Sequence, residues 1–436
     1  MYFALICILL ILPILYKILK GKPNLPPSPP VYSLPIFGHL LALGKHPQET
    51  LLQWCQTRQS DIIHCYFGQK LVIVLNNYSL IKQAFLDDNY SARAQPFIFE
   101  EHFHGKGLTY ADGERWLIHR KFAMDTLKKF GMGKYFLQDT ILDELKDIFH
   151  YIDQHEDKPV NIKGLLTHGL SNIICGFAFG QRFSHDNQEF RYIVSLIEEC
   201  FTLANLDKKL NKTNSTFDMD QLITSITNLF IGGTETTSTT LRWAFIYMIE
   251  NPQILKKVRD ELDHYMAENN NNRSPFIQME DKEYLPYTIA TIFEIQRCGN
   301  IATLGGSTMH RNLQATTLNG YDIPKNSYIA ANFYACHVDE RYFPQSDRFD
   351  PTRFLTDDHQ VVQRPQGFIP FSIGKKSCPG ESLANMELFL FFSNFIRHYD
   401  FYVVDKDKQI NSRKFYHTSL TRAPFDYQIS FVKRLL

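Results

Sequence analysis

A mainly helical protein is expected from three features of the 436-residue chain. The stretch FDMDQLITSITNLFIGGTETTSTTLRWAFIYMIENP reads as one long helix, starting near Asp218 and stopping before Pro252, and it is apolar nearly all round, as a buried helix must be. Four further segments carry helical apolar periodicity: ERWLIHRKFAMDTLKKF, ILDELKDIFHYI, FRYIVSLIEECFTLA and LPYTIATIFEIQRC. Strand signals are few by comparison, with LVIVLNN at 71–77 reading as a strand and YDIPKNSYIAANFYAC as strands around a turn.

In chain order, the first element is an uncharged apolar run, Tyr2 to Tyr16, followed by Lys17, Lys20 and Lys22. No basic residue precedes it and no small-residue cleavage site comes after it, so residues 1–20 read as a retained membrane anchor rather than a removed signal. The positive-inside rule puts the lysine-bearing end, and the body of the chain, in the cytosol. Residues 21–40 form a hinge in which Pro26, Pro27, Pro29 and Pro30 favour a stiff extended chain. No linker divides the rest of the chain, so 41–436 is expected to be one domain. Asp218 is placed to cap the long helix, ENNNNRSP (268–275) is a loop, and ESLANMELFLFFSNFIRHY is a final buried helix. Forty-six basic and 46 acidic residues balance and the basic ones are scattered, which argues against a nucleic-acid surface. Eight cysteines without a CxxC pair fit a reducing compartment, and 35 phenylalanines suit a large apolar interior or an apolar ligand alike.

Five constellations stand out. FSIGKKSCPG (371–380) sets Cys378 between Gly374 and Gly380, just before a helix whose N-terminal N–H groups favour a thiolate. A lone cysteine is more often a small buried hydrophobe. A nucleophile would need a histidine base and zinc would want more thiols, so the setting suits haem iron, whose other ligands come from a cofactor. GGTETT places Gly232 and Gly233 inside the long helix at roughly 1 kcal/mol each, which suggests close approach of a cofactor face, with Glu235 and Thr236 as a short proton chain; a polar packing stripe is the rival reading. Glu294 and Arg297 in FEIQR, with Arg353 in FDPTRFL, suggest a buried three-member structural network. Trp116 and Arg120 share a helical face suited to an anionic edge, unless they are simply core and surface. His310 could donate to the same anion or be an ordinary loop histidine.

In this order, WLIHR, GGTETT, EIQR, FDPTRF and FSIGKKSCPG resemble the cytochrome P-450 superfamily, in particular its animal microsomal family-two-type monooxygenases. The resemblance implies a mainly α fold with a small β-rich lobe and haem b as cofactor. It makes Cys378 the axial iron ligand, in a loop with Phe371, Lys376 and Gly380. It places Trp116, Arg120 and His310 at the haem propionates, sets Gly232 and Gly233 beside the haem, and gives proton delivery to Glu235 and Thr236. Electrons are then expected from NADPH-cytochrome P-450 reductase, with cytochrome b5 as a further partner, at the endoplasmic reticulum membrane. The substrate is expected to be small and lipophilic (a fatty acid, steroid or foreign compound), and FIFEEHFHGKG (97–107) is a candidate lining. Lys128, Lys129, Lys134 and Lys375 form a candidate docking face or merely a solvated one.

Three departures from the family pattern matter. Lys376 stands where the family has arginine, and loses the two-pronged contact to a propionate. Gly232 replaces the usual alanine. After FRYIVSLIEECFTLA, the chain passes through NLDKKLNKTNST directly into the long helix, so two helices that roof the family's substrate pocket are expected to be missing. An unroofed pocket leads to the alternative function, a haem-binding membrane protein with little turnover.

Overall fold

The computed structural model describes residues 23–94, 105–129, 136–155, 158–180, 182–183, 216–269, 273–305, 309–358, 362–404, 411–419 and 421–436. The anchor at 1–20, residues 97–104, Lys134, FRYIVSLIEECFTLA and the junction after it as far as Ser215 lie outside them. In chain order the elements are α1 (Pro47–Thr57), β1 (Ile62–Phe67), β2 (Lys70–Leu75), α2 (Tyr78–Leu86), β3 (Ala92–Arg93), α3 (Gly107–Tyr110), α4 (Gly113–Lys129), α5 (Phe136–Gln154), β4 (Val160–Asn161) and α6 (Ile162–Phe179). Then come α7 (Met219–Glu250), α8 (Pro252–Glu268), α9 (Pro286–Gly299), β5 (His310–Arg311), β6 (Thr316–Leu318), β7 (Tyr321–Ile323), β8 (Tyr328–Ala331), α10 (Phe333–His337), α11 (Glu381–His398), β9 (Tyr399–Val403), β10 (Tyr416–Thr418), β11 (Arg422–Pro424) and β12 (Gln428–Lys433). The fold is mainly α with a small β-rich part.

The long helix forms as its sequence predicts. The Asp218 carboxylate accepts from the Gln221 N–H at 2.7 Å and caps α7, while Pro252 opens α8 where a helical N–H is dispensable. Its middle and C-terminal half are buried from Thr237 to Met248. Phe245 there meets Phe395 of α11 edge-on, with ring centroids 5.3 Å apart. Gly233 lets α6 come close: a Cβ there would stand 2.5 Å from Ile174 Cδ1. The two faces that matter for the site, those of α7 and α11, are thus fixed by one shared core.

The sheet has strand order β1-β2-β8-β5-β3, with β2 and β8 parallel and the other pairs antiparallel. In YDIPKNSYIAANFYAC the expected strands form, but they pair elsewhere: β7 with β6, and β8 with β2 and β5, and FYAC opens α10. The short β3–β5 ladder sets Arg93 opposite His310. Glu294, Arg297 and Arg353 do meet. Arg297 donates through Nε and Nη2 to both Glu294 oxygens at 2.7 Å, and Arg353 Nε reaches Glu294 Oε1 at 3.2 Å. Arg297 Nη1 also donates to the carbonyls of His337 and Ser346, so the network ties α9 to the chain that leads toward the Cys378 loop.

Candidate haem-thiolate site

The loop before α11 is shaped by its backbone. Gly374 lies at φ +78°, and a Cβ there would fall 2.1 Å from the Phe85 carbonyl oxygen, so only glycine lets the loop lie on α2. The Ser377 N–H donates to Gly374 O at 3.1 Å and the Cys378 N–H to Phe371 O at 2.9 Å, folding the loop back on itself. Cys378 is open to water although protein atoms crowd around its sulfur, so the thiol sits in a recess. Burial pushes the thiol up, while the Gly380 N–H and the Arg120 guanidinium pull the other way. By contrast Cys55, Cys175 and Cys298 are pushed up to about 12 by burial. Among the described cysteines, Cys378 is the exposed one.

Positive charge gathers beside it. Arg120, on α4, donates from Nη2 to Ser377 O at 2.7 Å, and Arg93 Nη2 to Lys376 O at 3.3 Å. The Lys376 ammonium donates to Ala111 O at 2.8 Å and lies 3.8 Å from the centroid of the Trp116 ring. Asp112 is the carboxylate partner: it accepts from the Arg93 N–H at 2.7 Å, stands 3.7 Å from Lys376 Nζ and pairs with Arg311 at 3.1 Å. Burial lowers both buried cations: Lys376, which Arg93 also repels, to about 7, and Arg93, against the pull of Asp112, to about 10. Trp116 is buried, and its Nε1–H has no partner among the described residues. A surplus of buried positive charge, an unanswered indole N–H and a recessed thiol fit an anionic cofactor that carries a thiolate-bound metal, which is the donor set a haem requires.

His310 lies opposite Arg93 with one ring nitrogen already engaged. Its Nδ1 donates to Tyr90 O at 2.8 Å, its ring stacks on Phe85 with centroids 3.8 Å apart, and burial holds its pKa well below the usual value. With Nδ1 engaged, Nε2 is the nitrogen left to meet an anion, and it donates when the ring carries both protons. The glycines of α7 also divide their roles. Gly233 faces Ile174, whereas a Cβ at Gly232 would meet nothing within 4 Å among the described residues. Thr236 Oγ1 donates back to Gly232 O at 2.5 Å, and α7 stays continuous through this bond. Glu235 Oε1 accepts from Thr239 Oγ1 at 3.1 Å. Lys375, expected on a docking face, pairs with Asp88 at 2.6 Å on the surface, while Lys128 and Lys129 are exposed.

Sequence reasoning missed Arg93, Asp112 and Glu387. Arg93 and Asp112 are single residues in SARAQ and ADG, and only the β3–β5 ladder and the turn into α4 bring them to the loop. Glu387, flanked by the apolar run of α11, is fully buried, and its Oε2 accepts from Thr237 Oγ1 at 3.1 Å. An acid inside MELFLFF was the available signal.

The family description Cytochrome P450 matches residues 26–210 and 199–431, two stretches that overlap at 199–210. Cytochrome P450 2F2 of Mus musculus is 30% identical over 442 residues, covering 87% of this chain and 88% of that protein. Cytochrome P450 2H1 of Gallus gallus is 29% identical over 491 residues, covering 99% and 98%. Cytochrome P450 2U1 of Bos taurus is 30% identical over 439 residues, covering 86% and 79%. The thiol recess and its cations therefore sit within a similarity that spans nearly all of the sequence, and the chain belongs to the cytochrome P450 family.

Proposed function

We propose that this chain is a haem-b monooxygenase that inserts one atom of O2 into a C–H bond of a small lipophilic molecule. The second oxygen atom leaves as water, and NADPH supplies two electrons through its membrane-bound reductase. The observation that carries the reading is the recessed Cys378 thiol before α11, flanked by Arg93, Arg120, Lys376 and the unanswered Trp116 N–H. When bound, haem supplies the oxygen-activating iron, with thiolate donation from sulfur.

The chain's own residues have distinct parts. Cys378 holds the metal, and the Gly380 N–H stabilises charge on its sulfur. Trp116, Arg120 and Arg93 bind the cofactor's anionic edge. Lys376 acts mainly by bracing the Trp116 ring, since its ammonium is already engaged. Phe371 supplies the carbonyl that shapes the loop. Gly232 leaves the face of α7 open, Thr236 presents its hydroxyl there to pass protons, and Glu235, oriented by Thr239, replenishes them. Residues 1–20 anchor the chain in the endoplasmic reticulum membrane, 21–40 form the hinge and 41–436 the catalytic domain in the cytosol. Trp116, Leu117, Arg120, Lys121, Met124 and Lys375 border a hollow of about 300 Å3, an apolar floor with a cationic rim that suits an acidic electron donor such as the reductase or cytochrome b5.

The test is spectroscopic. Reduced, carbon monoxide-treated protein should show the red-shifted band of thiolate-bound haem, Cys378→Ser should abolish it, and absence of the band in the unaltered protein would sink the proposal. Thr236→Ala should keep the band while diverting NADPH electrons to peroxide. A protein that shows the band but oxidises none of a panel of fatty acids, steroids and foreign compounds would instead be a haem carrier with little turnover.

A further inference from the structure

The four-residue helix α3 cannot hold its own conformation, so its place depends on what ties it down. Those ties run to the first half of α7. Lys106 Nζ stands 3.1 Å from Asp218 Oδ1 and 3.0 Å from Asp220 Oδ2. The Gly107 N–H donates to Gln221 Oε1 at 3.2 Å, and Asn228 Oδ1 accepts from the N–H groups of Leu108 and Thr109, each at 3.0 Å. Gly107 lies at φ +80°, where a Cβ would come 2.5 Å from Asn228 Oδ1 and 2.7 Å from Thr224 Cγ2, so the Gly107 backbone rests directly on these α7 side chains.

Asn228, Gly232 and Thr236 are spaced by four and succeed one another along one face of α7. The docked α3 thus ends one turn before the open position at Gly232 and two turns before the Thr236 hydroxyl. We propose that Lys106 is a positioning residue: by bridging Asp218 and Asp220 it holds α3 against α7 and limits the bulk of the molecule that fits beside Thr236. The inference rests on the monooxygenase reading. Asp218 is already fixed as the cap of α7, so one partner of the bridge is preset. Removing the ammonium leaves the two neighbouring carboxylates without their ion-pair partner beside α3, which is then held by the Gln221 and Asn228 bonds.

The test uses full-length, haem-loaded protein and three iron-binding probes of rising size: imidazole, 4-phenylimidazole and clotrimazole, each titrated by its absorption shift. Lys106→Glu should tighten clotrimazole relative to imidazole by about three- to tenfold, and adding Asp220→Lys should restore the ratio. Backbone amide exchange at Leu108 and Thr109 should accelerate in Lys106→Glu and return in the double variant. An unchanged probe ratio in variants that keep the thiolate–haem band overturns the proposal, as does unchanged exchange. Should Lys106→Glu not retain haem, Lys106→Gln and a salt series on the unaltered protein decide: the ratio must rise as the bridge is removed or screened, and a flat ratio counts against the idea. A missing band in the unaltered protein instead removes the monooxygenase reading, and this role for Lys106 with it.

Discussion

At the scale of the residue, the site depends on a few atoms with little tolerance. Gly374→Ala would place a methyl where the Phe85 carbonyl oxygen already lies and would hold an L residue at φ +78°. The backbone conformation alone costs about 1–3 kcal/mol, and the overlap must be relieved by moving the loop off α2. The expected result is a lower melting temperature and a smaller fraction of purified protein carrying haem; full haem content would show that the loop can shift freely. Glu387 supplies a pH dependence. Burial raises its carboxyl to about 8, against which the Thr237 hydroxyl bond is the counter-effect. Its folded-state value lies above its unfolded one, so the protonated acid favours the fold at low pH, and that stability is lost as pH rises toward about 8. The slope for one proton is on the order of 1 kcal/mol per pH unit. Glu387→Gln mimics the protonated acid and should flatten melting temperature against pH between roughly 5 and 8, relative to the unaltered protein. Equal slopes in the two proteins would show that Glu387 is ionised in the fold.

At the scale of the element, legibility followed the length of the repeat. α7, α9 and α11 were readable because their apolar spacing persists over several turns and ends at residues such as Asp218 and Pro252, where helices start and stop. The ladder that sets Arg93 opposite His310 was not, because two-residue strands carry no period and pair across more than two hundred residues. The motif residues Trp116, Arg120, Lys376 and Cys378 were named from sequence, but the engagement of Lys376 by Ala111 and Trp116 comes from the turn between α3 and α4, which leaves no spacing signal. The Glu294–Arg297–Arg353 network was legible as a pattern, and its energetic weight comes from its burial. Glu294→Gln would leave two guanidinium groups, both largely out of water, without their carboxylate. Breaking such a pair costs about 3–5 kcal/mol, so the variant should yield little folded protein and lose haem. Folded Glu294→Gln protein with normal haem content would show that the carbonyls of His337, Ser346 and Pro344 suffice for the two arginines.

At the scale of the whole molecule, orientation and coupling can be read out by experiment. Among the N-x-[ST] sequons, Asn77 caps α2 through the Ser79 N–H and donates to Asp61, while Asn89 holds the backbone of Leu313 and Gln314. The fold already uses both side chains, so their lack of glycans would say nothing about which side of the membrane the domain occupies. Asn211 and Asn214 lie in the junction, outside the described residues, and serve as the reporters; both should stay unmodified in microsomes if the body faces the cytosol. The same junction bears on catalysis. The two stretches of the family match overlap there, at 199–210, and among the described residues nothing covers Gly232 beside Thr236. Water that reaches this face adds a proton source beside Thr236 and displaces substrate, so that more of the electrons and protons end in peroxide rather than in product and water. A reconstituted system with reductase and NADPH should therefore consume more NADPH than it forms hydroxylated product, and the excess should appear as hydrogen peroxide. A bulkier lipophilic substrate should raise the product share, because it excludes more water from the open face. If product matches NADPH one for one with small and large substrates alike, the reaction space is closed in the working protein, and the shortened junction carries no catalytic cost.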